Sequence, residues 1–166
     1  MGRDTWNEYF FTIVRAVGTR ATCDRGKCAA IIVKDRHILS TGYVGAPPGL
    51  PHCDDVGHLF RTVTHTNGTT RDHCVRTVHA EANAVAQAAK FGSSVADARL
   101  YSTMFPCFDC AKLVIAAGIT QVYAEFDYPA SADSKALFTA AGVHFIVVND
   151  SVPEYSKEVK YDNDRG

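Results

Sequence analysis

The chain has no surplus of either charge: 17 Lys and Arg stand against 18 Asp and Glu, a formal net charge of −1 over 166 residues. Gripping a phosphate backbone takes clustered cations that displace counterions. The balance therefore speaks against a stable nucleic-acid partner and leaves room only for a local basic patch. Long apolar runs are missing as well. No stretch approaches the roughly 20 residues that a membrane helix needs, and no charged-then-apolar segment of secretory type is present. Repeats and low-complexity blocks are absent. Six cysteines in such a setting favour metal ligation and reduced thiols over a disulfide framework, and a cytoplasmic location is expected.

What is there fits one globular domain, with 46% hydrophobic and 21% charged residues. It is expected over residues 1–148, followed by a flexible polar tail over 149–166. Residues 4–17 (DTWNEYFFTIVRAV) read as a core-packing helix capped by Asp4, with Trp6, Phe10, Ile13, Val14 and Val17 at helical spacing. Residues 28–33 and 37–43 read as a hairpin turned by Lys34-Asp35-Arg36. A long irregular stretch follows over 44–76; a loop of that length in a small domain is usually functional or tied down by something. Beyond it, a helix at 79–91, a strand at 98–103, a helix at 107–117 stopped by Gly118, a strand at 119–126, a helix at 131–141 and a strand at 143–148 complete an α-β-β-α-β-α-β-α-β order. Helices can then cover both faces of one mixed sheet.

The chemistry sits at two helix starts. His79-Ala80-Glu81 is answered by Pro106-Cys107-Phe108-Asp109-Cys110. One imidazole (His79) and two thiolates (Cys107, Cys110) make a three-ligand zinc site with an open fourth position, the catalytic arrangement rather than the structural one. Zinc brings the pKa of water down to about 7. Glu81, two residues past the histidine, is placed to move protons without ligating the metal. Cys107 and Cys110 are i and i+3 at a helix N-terminus, where the dipole favours thiolate. A lone C-x-x-C is weak, but H-x-E followed by P-C-x-x-C is the signature of zinc nucleobase deaminases. A purely structural zinc knot is the alternative, and it leaves Glu81 idle.

Flanking segments narrow the family. Gly42-Tyr43-Val44-Gly45-Ala46-Pro47-Pro48-Gly49, Leu50-Pro51-His52-Cys53 and His73-Cys74-Val75-Arg76-Thr77-Val78-His79-Ala80-Glu81 resemble deoxycytidylate (dCMP) deaminases, over about residues 5–148. The resemblance implies a cytidine-deaminase-like α/β fold, a three-layer α/β/α arrangement with one five-stranded mixed sheet. It implies hydrolysis of dCMP to dUMP and ammonia, in supply of thymidylate, by a homo-oligomer (a hexamer) that dCTP and dTTP regulate with Mg. It further implies a base pocket lined by Ala80, Ser102, Thr103, Phe105 and Tyr128, phosphate contacts from Arg20, Arg25 and Lys27, and a sugar-reading or allosteric loop at Gly42, Tyr43, Val44 and Gly45. One position departs: the family usually reads Gly-Tyr-Asn-Gly, and Val44 cannot bond a sugar hydroxyl. The alternative substrates are therefore a modified dCMP, dCTP, a nucleoside or a free base; a nucleic-acid-editing deaminase, which shares the zinc site, is the separate alternative.

Some members carry an additional structural zinc. By resemblance Cys23, Cys53 and His73 fall at matching places, with His58 or Cys74 as the fourth ligand and His65 behind them. Cys28 is expected to be an inert core thiol.

Overall fold

The computed structural model describes residues 2–149. Helix α1 (Trp6–Gly18) opens the fold. Its cap is Thr5 rather than Asp4: the Thr5 side chain accepts from the Glu8 N–H, while the Glu8 carboxylate accepts from the Thr5 N–H at 2.7 Å. This reciprocal pair satisfies two N–H groups, one more than a lone Asp would. Strands β1 (Ala29–Lys34) and β2 (His37–Tyr43) follow, antiparallel, with Asp35 and Arg36 both at positive φ in the turn between them, the backbone that a two-residue hairpin demands.

The 44–76 stretch is not irregular throughout. It contains a single-turn helix, α2 (Cys53–Val56), and a second hairpin of β3 (Phe60–Thr64) and β4 (Thr70–Cys74). The chain then alternates through α3 (Ala80–Lys90), β5 (Arg99–Met104), α4 (Phe108–Ala116), β6 (Gln121–Phe126), α5 (Ala132–Ala140) and β7 (His144–Asn149). The five-stranded sheet runs β2-β1-β5-β6-β7. It is antiparallel across β2-β1-β5 and parallel across β5-β6-β7, hence mixed, as expected. Most of the tail expected over 149–166 lies outside the described residues.

Alternation along the strands builds two cores, one per face. Ala29, Ile31, Val33 and Tyr101 meet Phe10, Phe11 and Val14 of α1. Ala30, Ile32, Leu100, Val122 and Ala124 meet Ala84 and Ala88 of α3, Ala111 and Val114 of α4, and Phe138 of α5. The result is the three-layer α/β/α arrangement. Gly42 lets α3 lie flat on β2, because a Cβ there would stand 2.2 Å from the Ala80 carbonyl oxygen and 2.4 Å from the Ala84 nitrogen. Asn83 fixes the same contact by donating to the Tyr43 carbonyl at 2.7 Å. The start of α3 is thereby held at the edge of the sheet, with no slack along its axis.

Candidate zinc centre and second thiol cluster

His79 and Cys107 are the N-cap residues of α3 and α4, and neither helix start has a side-chain cap bond. The unpaired N–H groups and the positive dipole ends of both helices are thus turned toward one point. There the Cys107 Sγ lies 3.3 Å and the Cys110 Sγ 3.5 Å from His79 Nδ1. Pro106 stands one residue before the cap, ending the β5 segment. All three donor atoms lie within 4.8 Å of one another. That spacing suits one ion about 2.0–2.3 Å from each donor, and an N/S2 set suits zinc.

The electrostatics agree. The Cys107 thiol is pulled down to about 4 by the Cys110 S–H, by His79 and by the Cys110 backbone N–H, against its burial. His79 is pushed up to about 9 by the same thiolate. Cys110, next to the Cys107 thiolate and Glu81, is pushed up. Glu81, 6% exposed, is pushed up by burial, with the His79 charge opposing, and it contacts the Cys110 side chain. A buried carboxyl with a raised pKa beside a ligand set can both take and give a proton near neutral pH.

The other expected pocket residues divide. Ala80 stands between His79 and Glu81 at the first position of α3, its side chain in the core. Tyr128 packs at the edge of that core; burial and the charges of Cys107, Cys110 and Glu81 push its phenol up to about 12. Ser102 is buried and donates to the Met104 carbonyl at 2.8 Å. Thr103 points to the opposite face of β5 and accepts from the Ala29 N–H at 3.0 Å, so it closes the β1–β5 ladder and not the pocket. Phe105 is corrected outright. Its ring is 1% exposed and packs edge-on against Phe138 and Phe145. Its N–H donates to the Phe126 carbonyl, which continues the sheet and carries the ring into the core, where it cannot stack on a base.

A second cluster forms where α2 and β4 meet the loop after α1. Cys23, Cys53, His58 and Cys74 bring one donor atom each within 4.8 Å of the others. Cys53 Sγ lies 3.5 Å from Cys74 Sγ, and Cys23 Sγ 3.5 Å from His58 Nδ1. The far nitrogen of His58 meets the Asp24 carboxylate at 3.0 Å, the outer partner that fixes the tautomer of a metal-binding imidazole. Burial pushes Cys23 and Cys53 up; for Cys74 the Arg76 and Leu59 N–H groups outweigh burial and hold it down. His73 is not part of this set. It neighbours Cys74 on β4, so it projects from the opposite face of the strand, where its ring sits 5.5 Å from that of His65. The four donors that could hold one ion are thus Cys23, Cys53, His58 and Cys74, with both candidates for the fourth place included.

Val44 is 9% exposed against Cys23 and Cys53, which removes it as a sugar-reading side chain. Gly42 serves α3 packing, the Tyr43 carbonyl is taken by Asn83, and Gly45 bridges to Val78. Arg25 donates from Nη1 to the Asp72 carbonyl at 2.7 Å and covers the Phe60 ring at 4.9 Å, bracing the β3–β4 hairpin. Arg20 and Lys27 lie exposed on the same loop. Arg76 donates to the Gly57 carbonyl at 3.0 Å, holding the end of α2.

Residues 4–126 match the family model of the cytidine and deoxycytidylate deaminase zinc-binding region. The chain belongs to this deaminase family. It is 40% identical over 143 residues to the ComE operon protein 2 of Bacillus subtilis (strain 168), covering 86% of this chain and 71% of that protein. It is 39% identical over 127 residues to the deoxycytidylate deaminase of Mycobacterium phage D29, covering 74% and 95%. Among solved structures, the dCMP deaminase of cyanophage S-TIM5 in complex with dCMP and dUMP superposes with a TM-score of 0.71 at 28% identity, covering 89% of this chain and 99% of that one. As a deaminase of this family the protein is a zinc-dependent hydrolase, and His79, Cys107 and Cys110 are the residues that fit its metal.

Proposed function

We propose that this deaminase hydrolyses dCMP to dUMP and ammonia. The observation that carries the reading is Glu81, buried beside a His79–Cys107–Cys110 donor set at two converging helix starts. Similarity to deoxycytidylate deaminases, and to one whose structure holds dCMP and dUMP, supports the nucleotide as substrate.

When bound, zinc supplies Lewis acidity that lets water ionise near neutral pH. The chain supplies the rest. Glu81 takes a proton from the water that adds at C4 and gives it to the ring nitrogen N3. It then takes the remaining proton from the new C4 hydroxyl and gives it to the amine, so the C4 carbonyl forms as the C4–N bond breaks and neutral ammonia leaves. Its burial keeps the carboxyl basic enough to accept and acidic enough to return that proton. Tyr128 closes the pocket edge, and the core behind Ala80 and Ser102 keeps the base in register and bulk water out.

The same reading extends to a closed Cys23–Cys53–His58–Cys74 zinc that ties down the 44–76 segment, supported by the donor spacing and the Asp24–His58 pair. It extends also to dCTP and dTTP with Mg as effectors, to a homo-hexamer and to a cytoplasmic place, each supported by family membership. Among the described residues no helix is long and apolar enough to cross a membrane. The test is a product assay: zinc-loaded protein converts dCMP to dUMP with one ammonia released per turnover, and absence of dUMP refutes the reading.

A further inference from the structure

Val44 joins the two donor sets. Its side chain is buried against Cys23 and Cys53 of the thiol cluster. Its backbone is fixed on that side too: the Val44 N–H donates to the Cys28 carbonyl at 2.9 Å, and the Val44 carbonyl accepts from the Thr22 N–H at 3.1 Å. Thr22 precedes Cys23, and its hydroxyl meets Nδ1 of His52, the residue before Cys53, at 2.9 Å. The residues beside two of the cluster's thiols are therefore tied to each other, and one of them to Val44.

The two chain neighbours of Val44 hold the start of α3. Gly45 and Val78 exchange backbone hydrogen bonds: the Val78 N–H donates to the Gly45 carbonyl at 2.9 Å, and the Gly45 N–H to the Val78 carbonyl at 3.4 Å. Val78 immediately precedes His79, whose backbone is extended (φ −66°, ψ 152°), so a shift of Val78 passes straight to the ligand. Tyr43 is joined to the same turn through Asn83. The Asn83 side chain donates to the Tyr43 carbonyl at 2.7 Å, and the Asn83 N–H donates to the His79 carbonyl at 2.9 Å. Gly45 also lies close on Thr22, where a Cβ would stand 2.9 Å from the hydroxyl. A continuous hydrogen-bonded path thus runs from Thr22 through Val44 and Gly45 to Val78, with Cys23 following its first residue and His79 its last.

We propose that Val44 is a positioning residue: packed on Cys23 and Cys53, it carries metal occupancy of the thiol cluster to His79, so that an ion in the second site tightens the catalytic one. The proposal rests on the reading of both donor sets as zinc sites. An ion that draws Cys23, Cys53, His58 and Cys74 together fixes the surface on which Val44 packs. Without it the thiols can part, and the 44–45 segment and Val78 lose that support. Two binding equilibria joined in this way are coupled reciprocally, each site changing the other's affinity by the same factor. The coupling belongs to this chain's departure from Gly-Tyr-Asn-Gly, since an Asn side chain in the same buried contact would have to give up its hydrogen bonds with water.

The test measures zinc affinity at each site by chelator competition, with zinc content and melting temperature alongside. The proteins are the wild type, Cys53→Ser, Cys107→Ser, Val44→Ala, Val44→Ile and the Val44→Ala/Cys53→Ser double variant. Cys53→Ser should weaken the catalytic site by about 5- to 150-fold, and Cys107→Ser should weaken the second site by the same factor. Val44→Ala should still hold two zinc ions at saturating metal but bind the catalytic one more weakly, and adding Cys53→Ser to it should change that affinity little. Val44→Ile, which keeps the packing, should behave as the wild type. Equal catalytic-site affinity with and without Cys53→Ser, in a wild type that holds two zinc ions, overturns the proposal. So does coupling that survives in Val44→Ala, which would assign it to the Cys74–Val78 segment. A lower melting temperature in Val44→Ala with unchanged zinc affinity also overturns it, leaving Val44 a packing residue. A wild type with one zinc per chain fails the two-zinc reading, and the proposal with it.

Discussion

Cys107 Sγ and His79 Nδ1 lie 3.3 Å apart although 28 positions separate them in the chain. Each is the cap of a different helix, and β5 between them sets the distance. The zinc site is therefore assembled by the packing of α3 and α4 on the sheet, and any change that tilts either helix start acts on the metal.

Cys107→Ser should remove zinc from this site without unfolding the chain, since Cys107 is a cap residue and not part of the buried core. Zinc content should fall by one per chain relative to the wild type, with deamination lost and the far-ultraviolet spectrum kept. Retention of all the zinc would show that Cys107 is not a ligand.

Gly42→Ala tests the contact that positions His79. The new Cβ would meet two backbone atoms at 2.2 and 2.4 Å, and neither can move aside as a flexible side chain could. A cost of about 3 kcal/mol is expected from overpacking against backbone, read as a lower urea midpoint with unchanged slope, together with weaker zinc retention.

The second cluster predicts a stoichiometry. Wild-type protein should hold two zinc ions per chain; Cys53→Ser and Cys74→Ser should hold one, and His73→Ala should still hold two. Loss of this ion should lower the melting temperature and expose the β3–β4 hairpin to protease before the rest of the chain. One zinc in wild-type protein would contradict it.

Asp127 gives a pH dependence. Burial raises its pKa, but hydrogen bonds from Lys135, Ser131 and the Tyr128 N–H outweigh it and leave the carboxyl below its ordinary value, with Lys135 Nζ at 2.7 Å. A depressed carboxylate adds stability above its unfolded pKa of about 3.9, and that stability disappears as pH falls through the folded value. Asp127→Asn should therefore cost about 1 kcal/mol at pH 7, discounted for the half-open setting, and nothing once the wild-type carboxyl is protonated. A constant difference across that range, measured by denaturant titration, would refute the assignment.

The two helix starts, the five strands of the main sheet and the catalytic donors were legible because each carried a local signature: apolar periodicity for the elements, ligand spacing for the metal. The β3–β4 hairpin was not. Its strands (FRTVT and TRDHC) are largely exposed and have no apolar stripe, so neither period stands out. The His73–Cys74 choice depended on that same strand, since adjacent residues can be sorted only once they are known to point apart. Phe105 was misplaced because a ring just before a metal pair reads equally as pocket or core; only the continuation of β5–β6 pairing decides it. Val44 showed a missing polar group but not where its side chain turned. The Asp24–His58 pair depends on a tertiary contact that leaves no trace in residue order.

The most direct test is Glu81→Gln, which keeps the shape and removes the proton carrier. Zinc content should match the wild type while kcat for dCMP falls by about two to four orders of magnitude. A Gln variant that keeps its zinc and turns over dCMP at near the wild-type rate would contradict the account.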